Sequence, residues 1–154
     1  MTKEHRYTAT TIWSGATTGY KDYARAHEIR IDGKPPIAAS SDAALGGDAG
    51  RINPEDMLVG ALSSCHMLWY LHLCAVKGVV VTHYEDAAQG VMIEEPGKGR
   101  FTQVTLRPVV MITAESDAAL AKSLHERAHR ECFIANSVNF PMKCEPVIAK
   151  AKAA

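Results

Sequence analysis

Residues 53–78, NPEDMLVGALSSCHMLWYLHLCAVKG, constrain this chain more than any other stretch. Asn53 is a favoured N-cap residue, and Pro54 suits the first helical position, where its missing N–H has no helical partner to lose. Glu55 and Asp56 follow where the helix dipole favours negative charge, while Lys77 and Gly78 supply the C-terminal stop. These limits predict one helix of about 24 residues, about 36 Å long at 1.5 Å per residue. It is apolar around most of its circumference, which predicts a helix covered on several sides. The apolar run from Leu58 to Val76 approaches membrane-spanning length. It carries Ser63, Ser64, His66, Tyr70 and His72, however, and opens with the cap of a soluble helix. We read it as a buried core helix and expect no membrane partner.

The flanking segments read as strands and a second helix. Residues 7–13, YTATTIW, are rich in β-favouring types and SGATTG follows as a turn. A second strand over roughly 20–31 alternates Tyr23, Arg25, His27, Ile29 and Ile31. IDGKPP is a hairpin turn, with Asp32-Gly33 suited to positive φ, and residues 37–41 form a short third strand. ALGGDAGRI is a loop leading into the helix. Beyond it, VVVTHYEDAAQGVMIEE and RFTQVTLRPVVMITA read as one long hairpin about a PGKG turn. SDAALAKSLHERAHREC is an amphipathic helix with Ser116 as N-cap. SVNFPMKCEPVIA is a last strand with Val138, Phe140, Met142 and Cys144 on one face, before a Lys/Ala tail expected to fray. The expected order is βββ-α-ββ-α-β, an α+β arrangement in a single domain spanning 1–154.

Formal net charge is zero over 154 residues, which gives no footprint for nucleic acid or an anionic surface. The polar opening MTKEHRYTAT has no secretory h-region, so the expectation is a reduced, cytoplasmic setting. The four cysteines, Cys65, Cys74, Cys132 and Cys144, make no Cys-x-x-Cys or zinc-ribbon spacing. Any disulfide here is expected to be transient and catalytic. His66, His72, His83, His125 and His129 raise the question of a metal. His125 and His129 stand i, i+4 on one helix, but no zincin pattern surrounds them, so a solvated helix face is the reading and neither metal nor cofactor is expected. There is no glycine-rich phosphate loop, and ALSSC is not a nucleophile elbow.

Cys65 shares a helical face with Ala61, Leu62, Leu68 and Trp69. Local pattern leaves two readings open, a packing thiol or a reactive one. Cys132, at the end of the second helix before the irregular FIANS, is equally open. Cys74 and Cys144 lie inside regular elements with apolar neighbours and read as structural.

NPEDMLVGALSSCHMLWYL resembles the central-helix signature of the OsmC/Ohr family, the osmotically inducible and organic-hydroperoxide-resistance proteins. Asn53, Pro54, Glu55 and Cys65 match its Asn-Pro-Glu run and following cysteine. ECFIANSV falls where that family carries its second cysteine, here Cys132. YARAH lies where one OsmC-like subgroup places an arginine strand, here Arg25. The resemblance extends over nearly the whole chain. It implies a thiol peroxidase acting on organic hydroperoxides, with Cys65 as nucleophile and Cys132 as resolving thiol. It also implies an OsmC-like fold in an intertwined homodimer with sites at the subunit interface, and an external dithiol reductant, often lipoyl-type. The best-studied branches have Cys-Pro at the second cysteine. This sequence has Cys132-Phe133, which points to a less characterised branch.

Electrostatics defines what such a site needs. The thiolate is the nucleophile, whereas an apolar helix face favours the neutral thiol. Cys65 lies about three turns from the helix start, and the dipole effect fades within the first turn. A cation must therefore approach from elsewhere, and Arg25, on one strand face with Tyr23 and Ile29, is the choice, with Arg51 in reserve. Glu55 would orient Arg25 through a bidentate pair. Glu55 and Cys65 are about 15 Å apart along a straight helix, so the arginine bridges them or a second subunit supplies one. Met57, Leu68, Trp69 and Phe133 are candidate lining for an alkyl group. The competing reading is a non-enzymatic small-ligand- or metal-binding stress protein.

Overall fold

The computed structural model describes residues 1–152 and divides into two compact units, Met1–Met57 and Leu58–Ala154. In the first unit, β1 (Thr10–Ile12), β2 (His27–Arg30) and β3 (Ile37–Ala39) form an antiparallel sheet in that order. Thr11 pairs with Ile29 and Glu28 with Ala38. The strands are shorter than expected. The Lys34 N–H bonds the Ile31 carbonyl across the Asp32-Gly33 turn, and Gly33 alone takes the positive φ, 73°. Tyr20–Ala26 is irregular, so Arg25 sits on a loop ahead of β2 and not on a strand.

Helix α1 runs Pro54–Lys77, the limits expected from its caps. Asn53 Oδ1 accepts from the Asp56 N–H at 2.8 Å while Asp56 Oδ2 accepts from the Asn53 N–H at 3.2 Å, a reciprocal capping box. At the other end Gly78, at φ 76°, donates to Ala75 O and Val79 donates to Cys74 O, which closes a Schellman motif. Among the described residues, its expected coverage on several sides is not met. Leu62, His66, Tyr70, Leu73 and Cys74 are buried, whereas Leu68 and Val76 are 60% and 65% exposed.

The expected long hairpin is four strands. β4 (Val81–Asp86), β5 (Gln89–Glu95), β6 (Lys98–Leu106) and β7 (Pro108–Ile112) follow α1. β5 and β6 form the hairpin, and β4 pairs instead with β7. Helix α2 spans Ala118–Glu131 and is capped by Asp117, whose carboxylate accepts from the Ala119 and Leu120 N–H groups. Ser116, the expected cap, is buried and accepts from the Val80 N–H. The expected last strand breaks at Glu145-Pro146 into β8 (Met142–Cys144), parallel to β6, and β9 (Val147–Lys150), parallel to β7. The observed order is βββ-α-ββββ-α-ββ, a mixed α+β chain. The Ala151 N–H still bonds Ile112 O, and the end of the Lys/Ala tail lies outside the described residues.

Two apolar clusters build the second unit. Leu62 packs with Val104 and Leu106 of β6, flanked by Phe101, Phe140 and Met142. Tyr70, Leu73 and Cys74 pack with Val110 and Ile112 of β7 and Ala121, Leu124 and Ala128 of α2. His66 stands one turn from both Leu62 and Tyr70, at the seam between them.

Candidate active site

Cys65 and Cys132 come together in the second unit. Cys65 is half-buried midway along α1. Cys132 is the C-cap of α2, where it follows the buried stripe Ala121, Leu124, Ala128 at helical spacing. Its N–H bonds His129 O and its carbonyl accepts from the Asn136 N–H, which holds the backbone there, and the residue is fully buried. Cys65 stands near enough to act on the Cys132 thiol, and both thiols are free. Burial pushes the Cys132 thiol up to about 11, opposed by the Ala135 N–H 3.5 Å from its sulfur and assisted by Cys65. Cys132 is therefore the enclosed, protonated member of the pair, and Cys65 is the member open to solvent.

Aromatic side chains flank the thiols. Trp69, one turn beyond Cys65, meets Phe133, the residue after Cys132, edge to face at 5.3 Å between centroids. Leu68, Trp69 and His72 line a shallow pocket of about 220 Å³, and Phe133 is 68% exposed. Met57, the other residue expected to line an alkyl pocket, belongs to the first unit.

In the first unit Arg25 is half-buried, with its guanidinium 4.0 Å from the Tyr23 ring centroid and 5.2 Å from that of Tyr20. It donates to Tyr23 O at 2.7 Å and Tyr20 O at 2.6 Å. These bonds engage both terminal nitrogens, and the fork retains further N–H groups. Arg25 lines a cavity of about 440 Å³ with Trp13, Tyr23, His27, Ser40 and Pro54. Glu55 stands in the first turn of α1 as expected, but among the described residues it makes no ion pair with Arg25. Arg51 pairs with Asp48 at 3.5 Å and donates to His27 O at 3.4 Å.

A protein-family model for OsmC-like proteins matches residues 46–146, a stretch that includes both thiols. The chain belongs to the OsmC-like family. Its structure superposes on an OsmC-like protein of unknown function from Vibrio cholerae with a TM-score of 0.84 and 32% identity, covering 94% of this chain and 100% of that one. An organic hydroperoxide resistance protein from Elizabethkingia anophelis shares the fold at a TM-score of 0.70 and 18% identity, with 98% and 100% coverage. In sequence, the uncharacterized protein YmaD of Bacillus subtilis is 24% identical over 89 residues. That alignment takes in 56% of this chain and 59% of the relative's length.

The OsmC-like chain also carries a buried polar cluster that corrects the sequence reading. His125, expected on a solvated face with His129, is 2% exposed, and His66 is fully buried. His66 Nε2 lies 3.0 Å from His125 Nδ1, and the His125 ring stacks on Tyr70 at 3.8 Å. Cys144, expected among apolar neighbours alone, places its sulfur 3.6 Å from His66 Nε2 and 3.8 Å from His125 Nδ1. Burial lowers His66 from 6.5 to about 4 and His125 to about 3, so both rings are neutral near pH 7. Burial, with Asp86 and Glu145 acting in the same direction, pushes Cys144 up to about 12. The signal for this cluster was available in α2, because His125 adjoins the 121, 124, 128 stripe and turns with it into the core.

Proposed function

We propose that this OsmC-like protein is a thiol peroxidase that reduces organic hydroperoxides to alcohols. The observation that carries the reading is the pairing of a solvent-facing Cys65 with a fully buried, protonated Cys132. The Cys65 thiolate attacks the distal peroxide oxygen, the O–O bond breaks, and the alkoxide leaves as the alcohol after taking a proton. The resulting sulfenic acid condenses with the Cys132 thiol, forming the disulfide and releasing water. An external dithiol, lipoyl-type by family resemblance, restores both thiols by exchange. Trp69, Phe133 and Leu68 offer apolar contact for an alkyl substituent. A homodimer would cover the exposed apolar side of α1 at Leu68 and Val76.

A thiol count tests this reading. One equivalent of cumene hydroperoxide, without added reductant, should remove two thiols per chain and yield one cumyl alcohol. Unchanged thiols would leave the ligand-binding alternative.

Arg25 is the proposed cation for the Cys65 thiolate, with Glu55 orienting it in the assembled dimer. Arg25→Ala should slow peroxide attack at neutral pH at least about tenfold, because an opposite charge at contact range favours the ionised form by at least that factor. The pH midpoint of Cys65 alkylation should move upward, with Lys rescuing only in part. Glu55→Ala should be milder. An unmoved midpoint in Arg25→Ala would pass the role to Arg51.

A further inference from the structure

The buried imidazoles and Cys144 serve no step of the proposed peroxidase cycle, yet they gather three metal-binding atoms at one point. We propose that His66 Nε2, His125 Nδ1 and Cys144 Sγ form a binding site for a d¹⁰ transition ion, Zn²⁺ or Cu⁺. All three residues lie in the second unit, on α1, α2 and β8.

The dimensions fit. With metal–nitrogen bonds of about 2.05 Å and a metal–sulfur bond of about 2.3 Å, a tetrahedral centre separates its ligand atoms by about 3.3 Å for N–N and about 3.6 Å for N–S. The observed separations are 3.0 Å for the two nitrogens and 3.6 and 3.8 Å from the sulfur to each of them. The two imidazole centroids are 5.3 Å apart. Two imidazoles on one tetrahedral ion would stand about 5.2 Å apart by the same bond lengths. The rings would exchange their mutual N–H···N bond for the ion by turning nearly in place.

The donor chemistry selects the ion. Two imidazoles and a thiolate are a borderline-to-soft set, which suits zinc or cuprous copper and disfavours magnesium and calcium. Binding would release the thiol proton to solvent, while the imidazole proton held between the rings would pass to the outer nitrogen of its own ring, so that both histidines coordinate as neutral imidazoles. The Asp86 carboxylate, held by Ser63 Oγ at 2.5 Å and the Arg107 N–H at 2.6 Å, lies within electrostatic range of His66 and Cys144 and would offset the single positive charge that Zn²⁺ keeps after one thiolate binds. His125 and Cys144 also line an open cavity of about 570 Å³ together with His129 and Met142. A fourth coordination position therefore faces a space furnished with a further imidazole and a thioether. Three protein ligands with one open position is the pattern of an exchangeable or reactive ion and not of a closed structural one.

The test uses the reduced full-length chain, with Co²⁺ as the spectroscopic probe for zinc and a chromophoric chelator in competition for Cu⁺. One equivalent per chain should bind, and Co²⁺ should give the thiolate charge-transfer band and the intense visible bands of a tetrahedral site. Loss of a mere outer-shell partner weakens metal binding about 10- to 100-fold, so Cys144→Ser should weaken it at least about 100-fold and remove the charge-transfer band. His125→Gln should weaken binding similarly, with circular dichroism confirming its fold. The Cys65→Ser/Cys132→Ser double variant should bind as wild type. The proposal is overturned if neither ion binds stoichiometrically. It is equally overturned if binding survives Cys144→Ser and disappears in the Cys65/Cys132 double variant, which would place the metal on the redox pair. Metal binding by the double variant stands apart from the peroxidase reading, because that variant cannot turn over.

Discussion

Cys65→Ser should consume no organic hydroperoxide above the uncatalysed background, while folding as wild type. A serine hydroxyl in this position does not ionise near neutral pH, and no other thiol in the second unit is both accessible and set beside a second cysteine. Cys132 is fully buried, Cys74 is 1% exposed, and the Cys144 thiol is held well above the ordinary range. Cys65 is only half-buried, so the exchange of sulfur for oxygen should cost about 1 kcal/mol or less of stability. Cys132→Ser should behave differently. Without added dithiol it should release one equivalent of alcohol, lose one thiol instead of two, and halt as a sulfenic acid that dimedone labels. Multiple turnovers in Cys65→Ser would remove the nucleophile assignment. Loss of a second thiol in Cys132→Ser would mean that Cys74 or Cys144 resolves the intermediate.

The second large effect is on stability in acid. The folded chain holds His66 and His125 neutral down to about pH 4 and about pH 3, whereas both accept a proton near pH 6.5 once unfolded. Between those limits the unfolded state binds more protons, so the stability falls as pH falls. The loss begins near pH 6.5 and is complete only below the folded values. At pH 4.5 each imidazole kept neutral costs about 3 kcal/mol, a large share of the 5–15 kcal/mol that holds a typical domain together. Urea midpoints measured at pH 7.5 and pH 4.5 should differ accordingly, and a His66→Gln/His125→Gln variant should show a flatter profile. A wild-type midpoint constant across that range would mean that the rings take up protons in the native state.

Helix α1 was legible to the residue because its signals act within a single turn. Asn53 and Asp56 satisfy each other, and Gly78 adopts a backbone conformation that side chains resist. The thiol pair was legible through the family signature, since nothing local says that residues 65 and 132 meet. Strand pairing was not legible, because β4 prefers β7 to its sequence neighbour β5 and only the assembled unit decides that. The break at Glu145-Pro146 is marked in the sequence by the proline alone, which withholds a ladder donor there. The spacing of four between His125 and His129 marks a face without saying which way the face points. The adjoining Ala121, Leu124 and Ala128 did say it.

The parallel pairings of β8 and β9 carry a consequence for how the chain matures. Leu106 waits for Cys144 and Val109 for Val147, each 38 residues further on. During synthesis α1, α2 and the β5–β6 hairpin can form from segments already made, but both sheets of the second unit keep an open side until residues 142–150 emerge. In that interval β6 and β7 present unpaired backbone to any neighbouring nascent chain.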